Sequence, residues 1–202
     1  MLAKGQRRKH QIIDTAKDMF MKIGFQSTHI GKVCEELNIA RGTVYQYFGN
    51  KREILYAILE SVEEKIDDIL DLDDLKDFLK TNPSQKLVLK FVKERILGTI
   101  RSIENEPIII KLIFKDIVGI DGEILARVNA FIELITKSLI RDIEEIIKKG
   151  LYKKSIDSEL TSLMFIGGVL FILYNDNKTN SGMLEEYKID AIVNNYFNGV
   201  LK

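Results

Sequence analysis

The stretch Thr28–Lys51, THIGKVCEELNIARGTVYQYFGNK, decides how the rest of the chain is read. Ile30, Val33, Cys34 and Leu37 fall at spacings 0, 3, 4 and 7, one apolar face of a short helix. Thr28 ahead of them is the expected N-cap, its hydroxyl meeting an orphan amide. Asn38 sits where the chain must reverse, and asparagine tolerates the left-handed conformation that ends helices. Ile39 follows as the apolar residue that tucks the turn inward. A second short helix then carries Arg41, Thr43, Tyr45 and Tyr47 as polar residues, with Val44 and Phe48 four apart as anchors. This is a helix-turn-helix pattern, whose second helix enters the DNA major groove.

The segment resembles the DNA-binding domain of the tetracycline-repressor (TetR) family of regulators. The resemblance rests on Ile12, Ile13, Ala16 and Phe20, then Gly24-Phe25, Thr28, Val33 and Leu37. It is densest in Gly42-Thr43-Val44-Tyr45, Tyr47-Phe48, Asn50-Lys51 and Leu55, and it covers about a quarter of the chain. The chain departs from the family pattern at four positions. Ala40 replaces the usual serine at the start of the recognition helix, a lost cap worth about 1 kcal/mol. Cys34 stands for the usual alanine and Asn38 for the usual glycine. Gly31 stands where many members carry a base-reading arginine.

Composition agrees with an all-helical protein. Only Pro83 and Pro107 are prolines, tryptophan is absent, and nearly half the residues are apolar. The formal charge is zero, but residues 1–60 hold ten Lys or Arg against six Asp or Glu, and the remainder is correspondingly acidic. A basic amino-terminal third suits contact with phosphate backbone. The single Cys34 excludes a disulfide within the chain and fits a reducing cytoplasm. The start, MLAKGQRRKHQ, has no apolar signal region, and the run Leu163 to Tyr174 is shorter than the roughly 20 residues a bilayer needs, so no membrane partner is expected. No nucleophile motif, Gly-rich phosphate loop or cofactor fingerprint occurs, and two histidines offer no His-rich metal site, so neither enzyme nor cofactor is expected.

The apolar period is helical almost throughout. It predicts helices from about Gln6 to Ile23, from Asn50 to about Leu70, from Ser84 to Glu104, from Ile108 to Val118, from Gly122 to Lys149 and from Ser158 to Tyr174. A last helix carries Ile189, Ile192, Val193, Tyr196, Phe197 and Val200. The acidic stretch Asp67 to Asp77 reads as a helix end or polar connection. With the two helices of the motif, about nine helices follow. The first three form a DNA-binding domain over residues 1–50, and the remainder forms a helical ligand-binding and dimerisation domain over residues 51–202.

The resemblance assigns roles to positions. Thr28, Arg41, Gly42, Thr43, Tyr45, Gln46, Tyr47 and Lys51 are the expected DNA contacts. Among these Arg41 is placed to meet guanine bidentately and Gln46 to read adenine. Arg7, Arg8 and Lys9 are read as a flexible arm to backbone or minor groove. The final two helices resemble the pair that dimerises such proteins, which points to Ile166, Gly167, Leu170, Ile189, Ile192, Val193, Tyr196 and Phe197 as interface. Gly167-Gly168 inside a helix suggests close backbone approach. A small apolar or amphipathic effector is implied among the middle helices, with Phe91, Arg95, Thr99, Phe114, Asn129 and Phe131 as candidate contacts and Arg95 as anchor for an anionic head group. The expected function is a ligand-responsive repressor that binds a palindromic operator as a homodimer. The alternative is a helical interaction protein whose motif no longer reads DNA.

Overall fold

A computed structural model describes residues 4–114, 122–178 and 186–200. Every regular element in these residues is an α-helix: α1 (Lys4–Ile23), α2 (Ile30–Leu37), α3 (Arg41–Tyr45), α4 (Lys51–Ile69), α5 (Leu72–Lys80), α6 (Gln85–Glu104), α7 (Pro107–Ile113), α8 (Gly122–Lys148), α9 (Ser158–Lys178) and α10 (Glu186–Val200). The chain divides into two compact units. One comprises Met1–Val62 and Lys111–Asn129, the other Glu63–Ile110 and Ala130–Lys202.

The first unit is built on a core of Ile12, Ala16, Phe20, Phe25, Val33, Val44, Phe48, Ile54, Leu55 and Ile58, all buried. Gly24 ends α1 at φ 85°, where a side chain would be strained. The Phe20 and Phe25 rings, 5.0 Å apart, close the corner that follows. Asn38 does adopt the left-handed conformation, φ 49° and ψ 52°. The amides of Asn38 and Ile39 then return to Glu35 and Cys34 carbonyls at 3.1 and 2.9 Å, satisfying the end of α2. Ile39 is half-buried rather than enclosed. Arg52 of α4 pairs with Glu123 at 3.0 Å, and Arg127 with Glu60 at 3.5 Å, joining the start of α8 to α4.

The second unit has one more helix than the sequence pattern indicates. Residues 72–80 form α5 instead of a polar connection. Asp71 caps it by accepting from the Asp73 and Asp74 amides at 2.7 and 3.3 Å, and two carboxylates in its first turn complement the helix dipole. Leu75 and Leu79, four apart, are its buried face. The alternation of acids with leucines hid this short period. Pro107 begins α7 as expected, but α7 ends at Ile113, and the part of the expected helix beyond Phe114 lies outside the described residues. Gly150, at φ 75°, ends α8.

Candidate functional site

The outer edge of α3 gathers most of the residues singled out for DNA contact. Val44 and Phe48 are buried and hold the helix on the core. That leaves Arg41, Gly42, Tyr45 and Gln46 exposed and Thr43 and Tyr47 half-exposed. Ala40 occupies the N-cap with no side-chain bond to the helix start. Among the described residues nothing accepts a hydrogen bond or ion pair from Arg41. A Cβ added to Gly42 would meet nothing within 4 Å, so internal packing does not require a glycine there. Glycine there costs a helix about 1 kcal/mol against alanine, and no packing among the described residues offsets it.

Arg7, Arg8 and Lys9 are not a flexible arm: they lie within α1. Fixed on that helix, Gly5, Arg7, Arg8 and Gln11 line an open hollow together with Thr43 and Tyr47. The hollow is basic and presents two hydroxyls, a combination that suits a phosphate.

Two expected contacts are turned inward. Thr28 is 1% exposed and its hydroxyl donates to the Gly24 carbonyl at 2.8 Å. The N-cap of α2 is His29, without a side-chain cap bond. Thr28 thus ties the corner after α1 instead of capping α2. Lys51 reaches back from the start of α4, donating to the Phe25 and Gln26 carbonyls at 2.7 and 2.9 Å, with its ammonium 4.6 Å from the Phe25 ring centre. Partial burial, and then the neighbouring Arg52 charge, hold its ammonium below the ordinary lysine value. Two of its three donors are engaged, so it acts first as a clasp between the corner and α4. Asn50 caps α4 by accepting from Arg52 and Glu53 amides at 2.9 and 3.2 Å, while Glu53 accepts from the Gly49 amide at 2.7 Å. This reciprocal cap fixes where α4 begins.

In the second unit the anionic-anchor role expected of Arg95 meets a buried partner that the sequence did not single out. The Arg95 guanidinium donates to Asp142 at 3.1 and 3.3 Å and to the Asp71 carbonyl at 3.1 Å, and packs 5.5 Å from the Phe91 ring centre. Phe91 is stacked on Phe78 at 4.3 Å. With its charge neutralised inside, Arg95 is not a free anchor. Burial pushes the Asp142 carboxyl up to about 6, opposed by Arg95 and by Arg141.

Beside this pair lies an apolar cavity of about 50 Å³, lined by Leu70, Ile96, Ile100, Leu139, Phe165 and Ile166 among others. Thr99 alone of the expected ligand contacts reaches it, and its hydroxyl already donates to the Arg95 carbonyl at 3.0 Å. Phe131 is fully buried elsewhere in the core. Asn129 is exposed, because it follows Val128 by one residue and so points about a quarter-turn away from the inward Val128–Phe131–Ile135 row. Phe114 and Asn129 both fall in the first unit.

The interface residues assigned to α9 split between two faces. Ile166 and Leu170 point inward and line the cavity. Val193 and Tyr196 of α10 are buried, Tyr196 against Phe165 at 4.7 Å, and Ile192 is half-buried. The side chains of Ile189 and Phe197 lie outside the described residues. The outward face of α9 carries Leu160, Leu163, Met164 and Phe171, with Met164 70% and Phe171 59% exposed, around Gly167 and Gly168. Among the described residues, no atom beyond the helix's own backbone and the adjoining residues lies within 4 Å of a Cβ at either glycine. Both sides of α9 are apolar, so periodicity could not tell the inward side from the outward one. For the same reason Ser158–Asp176 is long and apolar enough to cross a membrane by composition, a length the run Leu163 to Tyr174 had understated.

Residues 12–58 match the family described as "Bacterial regulatory proteins, tetR family". The chain is similar to the fatty acid metabolism regulator protein of Bacillus subtilis, 25% identical over 192 residues that cover 94% of this chain and 91% of the relative. Its fold matches the fatty acid degradation regulator FadR from Bacillus halodurans at a TM-score of 0.69 and 18% identity, covering 95% of this chain and 93% of the other. It likewise matches SmeT in a complex with triclosan at 0.67 and 17% identity, covering 97% and 92%.

Proposed function

Because the chain belongs to the TetR family of transcription regulators, we propose that it is a ligand-responsive repressor that binds a palindromic operator as a homodimer in the cytoplasm. Residues 1–50 supply the DNA-binding domain and residues 51–202 the regulatory and dimerisation domain. The observation that carries this reading is the edge of α3, where, among the described residues, Arg41 has no partner and Gly42 has no steric reason to be glycine. A guanidinium left open at a helix start suits a guanine edge, and a bare backbone suits close approach of the duplex. Thr43, Tyr45, Gln46 and Tyr47 complete the contact surface, with Arg7 and Arg8 on the backbone beside them. Thr28 and Lys51 support that surface from within.

The second copy is taken up on the outward face of α9. A helix that is apolar on all sides is normally covered on all sides, and Leu163, Met164 and Phe171 are exposed. Two glycines at the centre of that face allow close helix approach. Ile166, Leu170, Val193 and Tyr196 support the interface from the core side, with Ile192 continuing it on α10.

The effector is apolar, with any polar group outside the cavity. Thr99 supplies the sole polar side chain among the described lining residues, and its hydroxyl is engaged. An apolar cavity of about 150 Å³ holds benzene, against about 50 Å³ here. A guest must therefore enlarge the body, and binding selects the state in which α6, α8 and α9 stand further apart. That differential binding is what changes DNA affinity. The relatives' names fit such a guest, one acting in fatty acid metabolism and another holding triclosan.

The test is selection of duplexes from genomic fragments, followed by titration over salt. A bound palindrome with affinity falling steeply in salt is expected, together with release by a medium-chain fatty acid or triclosan. A protein that binds every fragment equally, or none, is not an operator-reading repressor. Met164→Glu with Phe171→Glu should yield monomers by analytical ultracentrifugation; an unchanged sedimentation coefficient would remove α9 from the interface.

A further inference from the structure

Gly31 lies in the first turn of α2, where its backbone makes no demand that only glycine can meet. A Cβ at Gly31 would stand 3.0 Å from Nη2 of Arg41, 3.5 Å from its Cζ and 3.6 Å from its Nε. Three atoms of one guanidinium at nearly equal distance mean that Arg41 lies against the bare backbone of α2, in the space a side chain would fill. His29, Ile30, Tyr45, Gly49 and Asn50 surround the same hollow.

An arginine reads a base through a rigid fork, so its direction decides which base edge it meets. Arg41 is exposed, and no acceptor among the described residues holds that direction. Packing across α2 is the restraint the structure offers. We propose that Gly31 is a specificity-determining position: by leaving α2 bare it lets Arg41 lie across that helix and sets the direction in which the fork enters the major groove. The inference rests on the reading of Arg41 as a base contact.

Gly31→Ala separates this role from folding. Alanine is the better helix former, and the atoms it crowds are the end of a flexible side chain, so the variant should melt no earlier than the parent. Affinities are measured for parent, Gly31→Ala, Arg41→Ala and the double variant, on the selected operator and on each single-base change within a half-site. Arg41→Ala should erase preference at one base pair per half-site. Gly31→Ala should weaken or switch preference at that same base pair by about threefold to tenfold, with other positions and non-specific affinity within about twofold. In the Arg41→Ala background the alanine should add nothing. Parent-like discrimination by Gly31→Ala at the base pair that Arg41→Ala erases overturns the proposal while the DNA-reading function stands. An equal added loss in the double variant also overturns it, because Gly31 would then act without Arg41. A parent with no base preference defeats both readings at once.

Discussion

Arg41 and Arg95 carry the same side chain in opposite settings. In the first unit Arg41 lies at a helix start, exposed, with no acceptor among the described residues. In the second unit Arg95 is 6% exposed, bidentate on Asp142 and bonded to a backbone carbonyl. A buried guanidinium has to be neutralised by the chain, and one left in water does not. The contrast separates a charge available to an outside anion from a charge consumed in holding α5, α6 and α8 together. Position along the sequence does not reveal it, since both arginines stand beside apolar residues at helical spacing.

The largest test of this contrast is removal of Asp142. Asp142→Ala leaves a buried cation without its acceptor and should lower unfolding free energy by about 3–5 kcal/mol in urea titrations; a loss below 1 kcal/mol would mean that Arg95 finds water or another acceptor. Asp142→Asn keeps an oxygen for the guanidinium and removes a buried charge, so it should lose less. The pair also sets a pH dependence. Burial lifts the Asp142 carboxyl to about 6, from 3.8 in the unfolded chain. The folded state therefore holds this proton more tightly, so the group's contribution to stability is greatest below pH 3.8 and is lost as pH rises through 6. The stability advantage of the parent over Asp142→Asn should be greater at pH 5 than at pH 7. A smaller advantage at pH 5 contradicts the assigned direction.

Arg41→Ala comes next. It should leave the unfolding transition within about 0.5 kcal/mol of the parent yet remove about 1–3 kcal/mol of discrimination at one base pair, read by competition binding. A large stability loss instead would place Arg41 on the structural side of the comparison. Lys51 stands between the two arginines, half-exposed but engaged. Lys51→Met should cost the first unit about 1 kcal/mol, below the usual range for a charge-assisted bond because solvent screens it. Hydrogen exchange at Phe25–Ser27 should rise accordingly. If exchange there is unchanged and only DNA affinity falls, Lys51 is a phosphate contact after all. The smallest effect is expected of Thr99→Val, which keeps shape in the cavity and removes a hydroxyl bonded only to its own helix. Stability should move by less than about 1 kcal/mol, and apolar ligands should bind no worse. Weaker binding would show the hydroxyl reaching the effector.

Much of the first unit was legible because its signals are local. Ile30, Val33, Cys34, Asn38, Val44 and Phe48 fix two helices and a turn through spacing and one left-handed residue. Thr28 and Lys51 are engaged inside the chain in a way that no local pattern reveals. A hydroxyl and an ammonium look alike on paper whether they face solvent or return to carbonyls at Gly24, Phe25 and Gln26, and only the corner after α1 brings those carbonyls within reach. In the second unit, α9 is apolar on both sides, so its period could not say that Ile166 and Leu170 face the cavity while Met164 and Phe171 face out. Arg95 and Asp142 are 47 residues apart, beyond any local pattern.

The sequence by itself determined the all-helical character, most helix boundaries and the helix-turn-helix. Each depends on interactions within a turn or two of chain, between side chains three or four apart and between caps and adjacent amides. The tertiary structure alone decided which charges are neutralised, which apolar face is left open and how small the internal cavity is. Those depend on what lies across a helix from residues far away in the chain, and burial is a property of that neighbour rather than of the residue itself.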